Sequence, residues 1–65
     1  MKVGNLVMYN LGSMPDSQGY KDIAIVVKKR TNAAKESVGI RSYLVYFPHY
    51  NEWLNVWEHE YRVVS

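Results

Sequence analysis

The sequence lacks cysteine, has no long apolar run and carries little net charge. Without cysteine it forms no disulfide and offers no thiolate metal ligand, a composition that fits a reducing compartment. No stretch approaches the ~20 apolar residues of a membrane-spanning helix, and residues 1–7 lack the layout of a signal peptide. We therefore expect a soluble, intracellular protein that makes no contact with a membrane. The formal net charge of +2 favours no class of partner by itself.

Motifs that support catalysis or cofactor binding are also missing. No serine has a recognisable histidine and acid partner, and neither a nucleophile elbow nor a glycine-rich phosphate loop occurs. His59 lies between Glu58 and Glu60, but adjacent side chains diverge and no second cluster completes a set of metal ligands. His49 lies at a predicted hairpin tip, where histidines are common and usually inert. We therefore expect a protein that is not an enzyme and that uses no cofactor or metal.

What the chain does contain is a high share of apolar and aromatic residues. With 65 residues and 7.6 kDa, residues 1–65 should form one domain, close to the lower size limit for a self-sufficient core. Residues 42–64 hold both tryptophans, the only phenylalanine, four of the six tyrosines and both histidines. Each aromatic side chain removes about 150–250 Å² from water when it is covered. The hydrophobic core should therefore form around this stretch.

Two apolar runs within this stretch predict a β-hairpin. The run Tyr43–Phe47 is β-branched and aromatic and ends at Pro48, and a polar bend at 49–51 separates it from a second run, Trp53–Trp57. A helix that starts with Asn51 as its N-cap is the alternative. Helical spacing relates four residues, Trp53, Val56, Trp57 and Tyr61. Strands are favoured because most residues here are poor helix formers.

Alternation along these two strands predicts which side chains face water. Asn55 lies in the middle of its strand and should face out, which turns Trp53 and Trp57 outward and Leu54 and Val56 inward. The inward set of the preceding strand is Tyr43, Val45 and Phe47. When the inward-facing residues of the two strands are paired with each other, the opposite side becomes an outer aromatic face made of Leu44, Tyr46, Trp53 and Trp57. Exposed aromatic patches usually mark partner sites; the alternative is that the tryptophans belong to the core.

The remaining segments complete a five-strand pattern. Residues 1–10 and 23–29 read as the first two strands, and the continuous apolar run at 23–27 is typical of a central strand covered on both sides or of a strand shared between two orthogonal sheet halves. Residues 11–21 form a loop rich in turn residues. A second polar loop follows at 30–41, with one possible helical turn at 33–36, and a short closing strand spans 61–64. Five short strands with two long loops predict a small closed barrel, since closure removes edge strands.

A basic segment between the second and third strands suggests another function. Its cations are Lys28, Lys29, Arg30, Lys35 and Arg41, with Glu36 as the only acid among them. Such a loop can neutralise the phosphates of RNA or DNA through counterion release. The alternative is that these lysines keep strand ends soluble and unpaired. The modest net charge favours this second interpretation.

Three segments give the chain a resemblance to SH3-like small barrels of the Tudor, chromo-barrel and KOW type. Residues 3–7 resemble the opening "VGDLV" of those barrels, residues 23–27 resemble their "GIVV" strand, and residues 43–47 with 60–64 are similar to their "YxVxF…ELRVL" ending. Asn5, Ala24 and Tyr61 replace the usual acid, glycine and leucine. The resemblance implies an all-β, five-stranded SH3-like barrel with a 3₁₀ turn, at residues 58–60, before the last strand.

The resemblance also implies several partners. Tudor and chromo-barrel proteins bind methylated lysine or arginine in an aromatic cage. Candidates here are Tyr9, Tyr20, Phe47 and Tyr50, although they do not match the cage pattern residue by residue. KOW-like barrels often contact RNA. The chain is also similar to short uncharacterised proteins of tailed bacteriophages, which would imply a structural role in the virion or an adaptor acting on a host protein.

These observations predict a non-catalytic protein–protein interaction module. It should dock onto another protein, or onto itself, through the outer aromatic face. If the phage resemblance holds, it would act in the host cytoplasm or in the virion. The alternative function is nucleic-acid binding through the basic segment 28–41.

Overall fold

The described part of the chain forms a single antiparallel sheet of five strands. The computed structural model describes residues 1–10, 12–30, 39 and 41–65. Its strands are β1 (Leu6–Tyr9), β2 (Ala24–Arg30), β3 (Ser42–Phe47), β4 (Glu52–Trp57) and β5 (Tyr61–Val63), and a 3₁₀ turn spans Glu58–Glu60. Their order in the sheet is β4-β3-β2-β1-β5. The expected all-β fold with five strands and a 3₁₀ turn before the last one is confirmed, and β4 and β5 lie at the two edges of the sheet.

The strand bounds differ from the sequence prediction mainly at the N-terminus. β1 has only four residues because the chain first turns at Gly4, which has a φ of 92°, and the Asn5 amide donates to the Lys2 carbonyl at 3.0 Å. β2 is the central strand, as the apolar run predicted. The alternative helix that starts at Asn51 is wrong, because this region forms β4 and the 3₁₀ turn. The helical turn suggested at 33–36 lies outside the described residues.

A tight turn joins β3 to β4. Asn51 has a φ of 51°, a left-handed conformation that asparagine adopts more readily than most residues. Its side-chain oxygen accepts a hydrogen bond of 2.6 Å from the Tyr46 hydroxyl. The turn sets a register in which Tyr46 lies opposite Trp53 and Leu44 opposite Asn55. All four side chains therefore point to the same side of the sheet.

The core lies on the other side of the sheet. Val45 and Val56 are fully covered there and Tyr43 almost fully, as alternation predicted, while Leu54 is partly buried and packs against them. The buried apolar residues are Val7, Tyr9, Ala24, Val26, Tyr43, Val45, Phe47, Val56 and Tyr61. Phe47 and Tyr9 both pack edge-on against the Tyr61 ring, with centroid distances of 6.2 Å and 5.4 Å. One continuous core thus connects strands from both edges of the sheet.

A buried carboxylate fixes the loop that precedes β2. The Glu60 side chain is only 1% exposed and accepts hydrogen bonds from the backbone amides of Asp16 at 2.7 Å and Ser17 at 3.3 Å. Charge-assisted hydrogen bonds of this kind offset the cost of burying a carboxylate. Glu60 therefore couples the 3₁₀ turn to the loop segment 12–23.

The same loop segment packs between the two edge strands. The Gln18 amide donates to the Asn55 carbonyl of β4 at 3.3 Å, and the Tyr61 hydroxyl of β5 donates to the Tyr20 carbonyl at 2.6 Å. A side chain at Gly19 would collide with Val56 and Tyr61. The loop segment therefore lies against β4 and β5 and bridges the edges of the sheet.

Candidate functional site

The outer aromatic face lies on β3 and β4, opposite the core. The Tyr46 and Trp53 rings are in contact, with their centroids 4.8 Å apart and their planes inclined by 50°. Trp53 remains 59% exposed, whereas Leu44, Tyr46 and Trp57 are half-buried. The face predicted from alternation is therefore present as a continuous surface, and Trp53 is its most accessible aromatic residue.

Asn55 lies on this face between the two tryptophans. The register opposite Leu44 places its side chain on the predicted outer side. However, it is only half-exposed, and its Oδ1 atom is buried without a hydrogen-bond partner among the residues described. The Asn55 side chain thus points to the predicted side of the sheet. Its oxygen does not reach water as expected, because neighbouring side chains cover it.

Trp57 at the end of β4 is less accessible than the prediction implied. Its ring contacts the His59 ring at a centroid distance of 5.6 Å, with the planes inclined by 30°. His59 is exposed and follows in the 3₁₀ turn. This contact gives His59 a packing role on the rim of the outer aromatic face.

The apolar surface extends beyond the four predicted residues. Ile25 of β2 lies opposite Tyr46, and Leu6 of β1 lies opposite Ile25. Both are half-buried, so a row of apolar side chains crosses the sheet from β1 to Trp53. Sequence reasoning missed this extension because alternation within a strand does not give the pairing between strands.

The basic residues fall on two different faces. Lys28 and Arg30 belong to β2, where they lie opposite Leu44 and Ser42, and they therefore share the outer side with the aromatic residues. Lys29 lies opposite Tyr43 and takes the other side. A shift in the register of β2 against β3 between Val26 and Lys28 places Lys28 and Arg30 on the outer side and Lys29 on the other.

The rest of the predicted nucleic-acid site is also divided. The Arg41 guanidinium forms an ion pair with the Glu58 carboxylate at 3.8 Å, and the predicted site residue Lys35 lies outside the described residues. Lys28, Lys29 and Arg30 extend a strand and do not belong to a loop. The described cations therefore do not form the single basic loop that the sequence suggested.

The four cage candidates do not enclose an open pocket. Tyr20 and Tyr50 stack face to face, with centroids 3.9 Å apart, and Phe47 meets the edge of Tyr20 at 5.3 Å. A methylated ammonium group does not fit between rings in contact. Tyr9 lies apart from Tyr20 and Tyr50 and packs on Tyr61. Only three of the four candidates therefore come together, as a closed cluster.

Two hydrogen bonds tie this cluster region to the β3–β4 turn. The Tyr20 hydroxyl donates to the Glu52 carboxylate at 2.8 Å, and this bond to a carboxylate raises the pKa of Tyr20. His49 Nδ1 lies 2.7 Å from the Asp22 carboxylate, and this hydrogen bond lowers the pKa of Asp22. This contact links His49, at the hairpin tip, to the loop segment.

A second polar cluster surrounds Glu58. Its carboxylate accepts a hydrogen bond of 3.0 Å from the Tyr43 hydroxyl and lies 3.4 Å from the amino group of Met1. Burial, together with the bond to Glu58, raises the pKa of Tyr43. Within the described ranges, no group of three or more histidine, aspartate or glutamate side chains is placed to hold a metal ion, and none of the helices there is long and apolar enough to cross a membrane.

Comparisons with known proteins returned no family model, no curated protein and no solved structure that matches the chain. The candidate site therefore rests on the positions and contacts of this chain's own residues and not on a relative. The feature that the core does not explain is the exposed part of the outer aromatic face. Trp53 has the largest exposed fraction among the aromatic residues of the described chain.

Proposed function

We propose that this protein is a non-catalytic interaction module that docks onto another protein through its outer aromatic face. The observation that carries the proposal is the 59% exposure of Trp53 beside Tyr46, on the side of the sheet opposite the core. The buried face of β4 is formed by other residues, among them Val56, so we expect the fold to tolerate the loss of this tryptophan. Tryptophan and tyrosine are enriched among residues that dominate binding energy at protein interfaces.

We further propose that the sheet and the loop segment together form an SH3-like barrel. The strand order β4-β3-β2-β1-β5, the 3₁₀ turn before β5 and the bridging of both edge strands by residues 12–23 support this closure. On the resemblance to short phage proteins, the module would act as an adaptor on a host protein in the host cytoplasm or as a component of a virion. In either role, the small domain would bind another protein through its surface.

A comparison of three proteins tests the docking function. Trp53→Ala removes the exposed ring, and Met14→Ala is the control, because Met14 is 69% exposed and belongs to the loop segment and not to the outer aromatic face. Each protein is immobilised and challenged with extract from its native source, and captured proteins are quantified by mass spectrometry. We expect a captured protein that Trp53→Ala loses and Met14→Ala retains.

Thermal melting of the same proteins completes the test. Surface substitutions usually change the free energy of unfolding by less than about 0.5 kcal/mol, so both variants should melt like the wild type. If Trp53→Ala fails to fold, the tryptophan is structural and the docking function is wrong. Equal capture by wild type and Trp53→Ala would also refute it.

A further inference from the structure

We propose that the outer aromatic face binds an extended acidic segment of its partner protein. This inference rests on the proposed docking function and adds the chemistry of the partner. It comes from the position of two cations beside the aromatic residues. Lys28 and Arg30 are both exposed and lie on the outer side of the sheet.

Three rows of side chains cross the outer side from β2 to β4. The register gives the rows as Ile25, Tyr46 and Trp53; then Lys28, Leu44 and Asn55; then Arg30, Ser42 and Trp57. No carboxylate occupies any of these nine positions. The surface therefore combines an apolar strip on β3 and β4 with a positively charged border on β2.

Four of the five described Asp and Glu side chains are engaged elsewhere, and the fifth, Asp16, is exposed in the loop segment. Glu60 binds the amides of the loop segment, and Glu58 binds the N-terminus and Arg41. Glu52 accepts a hydrogen bond from Tyr20, and Asp22 contacts His49. Within the described part of the chain, no acid is paired with the cations on the outer side, which leaves these cations available for the complementary charge of a partner.

The spacing of these residues sets the spacing expected in the partner. Lys28 and Arg30 are two residues apart on one strand, which separates them by about 6.5 Å. Carboxylates at alternate positions of an extended segment have the same separation. Trp53 lies two strand spacings across the sheet and one row along it from Lys28, about 12 Å in all, and an extended chain covers this distance in about three to four residues. The expected segment has two acids at alternate positions and a large apolar residue about three to four positions away.

The same charge distribution argues against two other occupants. A second copy docked face to face would bring no carboxylate to Lys28 and Arg30, because the nine positions of the outer side carry none, so it offers these cations no complementary charge. A single nucleic-acid strand held by these two cations would gain little binding energy. With only two phosphate contacts, the logarithm of its binding constant would fall with log[salt] at a slope of only about −1.4. An acidic peptide gains from both the cations and the apolar strip.

Selection from a displayed library of randomised twelve-residue peptides tests the inference at physiological salt. Peptides are selected on the wild-type protein and depleted on Trp53→Ala, so that the survivors require the outer aromatic face. We expect the survivors to be enriched in aspartate and glutamate at alternate positions, with an aromatic or large aliphatic residue about three to four positions away. Their affinities are then measured by fluorescence anisotropy.

Two charge-reversed variants provide the matched comparison. Lys28→Glu with Arg30→Glu should weaken the selected peptides about tenfold or more, which corresponds to about 1.4 kcal/mol. Lys2→Glu with Lys21→Glu makes the same change in net charge at two exposed positions that are not among the nine of the outer side, and it should leave affinity within about threefold. Wild-type affinity should fall as salt is raised, because salt screens these exposed charges.

The remaining outcomes separate the inference from the docking function. Survivors without acids, or survivors indifferent to the reversal of Lys28 and Arg30, would overturn the acidic partner and leave docking in place. A library with no Trp53-dependent peptide would overturn both. The acidic partner would also be overturned by self-association in sedimentation that Trp53→Ala abolishes, or by oligothymidine binding at physiological salt tighter than that of any selected peptide.

Discussion

At the scale of single residues, alternation along β4 separates the residues that stabilise the fold from those that remain available for binding. Val56 is fully buried, whereas Trp53 on the opposite side is 59% exposed. This separation was predictable from the sequence, because one polar residue, Asn55, marks the outer side of the strand. The burial of its Oδ1, which has no hydrogen-bond partner among the described residues, was not predictable, since it depends on the packing of neighbouring side chains.

Val56→Ala should therefore destabilise the protein. The substitution removes apolar volume from a fully packed site, and we expect a loss of about 1–3 kcal/mol in the free energy of unfolding. Urea unfolding followed by circular dichroism measures it. Val3→Ala is the control, because Val3 is 67% exposed and should change stability by less than about 0.5 kcal/mol. Equal effects of the two substitutions would contradict the burial of Val56.

The contact between Asp22 and His49 predicts a pH dependence. It holds the pKa of Asp22 below its ordinary value of 3.8. A lowered pKa in the folded state means that the contribution to stability is present above the ordinary value and is lost as the pH falls through the folded value. Carbon-detected NMR titration of the Asp22 carboxyl should show this low pKa, and His49→Ala should move it back toward 3.8.

The control for this titration is His59→Ala, which removes the other histidine. His59 packs on Trp57 and does not contact Asp22, so its loss should leave the Asp22 titration unchanged. An Asp22 pKa that is the same in wild type and His49→Ala would show that the contact does not persist in solution.

At the scale of elements, the sequence predicted the strands better than the loop between β1 and β2. Runs of β-branched and aromatic residues on either side of a polar bend define β3 and β4 locally, and Asn55 marks the outer side, so their bounds and inward faces could be predicted. The anchor of the loop could not, because Glu60 lies 44 residues from Asp16 and no local pattern connects them. The side of the sheet on which Lys28 and Arg30 lie likewise could not be predicted. It depends on the shift in register after Val26, which changes the side to which each following side chain points.

Gly19→Ala should disrupt the anchored loop. A methyl group at this position would collide with Val56 and Tyr61, whereas one at Gly12 meets no atom within 4 Å, which makes Gly12→Ala the matched control. Overpacking of this kind typically costs about 1–3 kcal/mol. We expect Gly19→Ala to lower the urea midpoint and to accelerate hydrogen exchange at the Asp16 and Ser17 amides. If both glycine variants behave like the wild type, the loop does not pack as described.

At the scale of the whole molecule, the order of the strands links the two ends of the chain. β1 pairs with both β2 and β5, so the N-terminal and C-terminal strands are parts of one sheet around one core. The overall all-β architecture was predictable from the density of strand-forming residues and turn signals. The extent of the outer apolar surface was not, since it depends on the pairing between strands.

This arrangement predicts a single cooperative unfolding transition. Far-ultraviolet circular dichroism should show a β-rich spectrum, and its thermal midpoint should coincide with that of tryptophan fluorescence. The fluorescence of the folded protein should be readily quenched by iodide because of Trp53, and Trp53→Phe should remove most of this quenching while Trp57→Phe should not. Separate midpoints for the two signals would mean that the two halves of the sheet unfold independently.

The position of the loop segment along β4 also has a consequence for aggregation. An edge strand with free backbone groups is a template on which further chains can add as strands. In this protein the Gln18 amide occupies the Asn55 carbonyl of β4, and the opposite edge, β5, is only three residues long. Weakening the loop anchor would uncover a six-residue strand, β4, that carries two tryptophans. Variants at Gly19 or Glu60 should therefore form fibrils or precipitates before they lose most of their secondary structure.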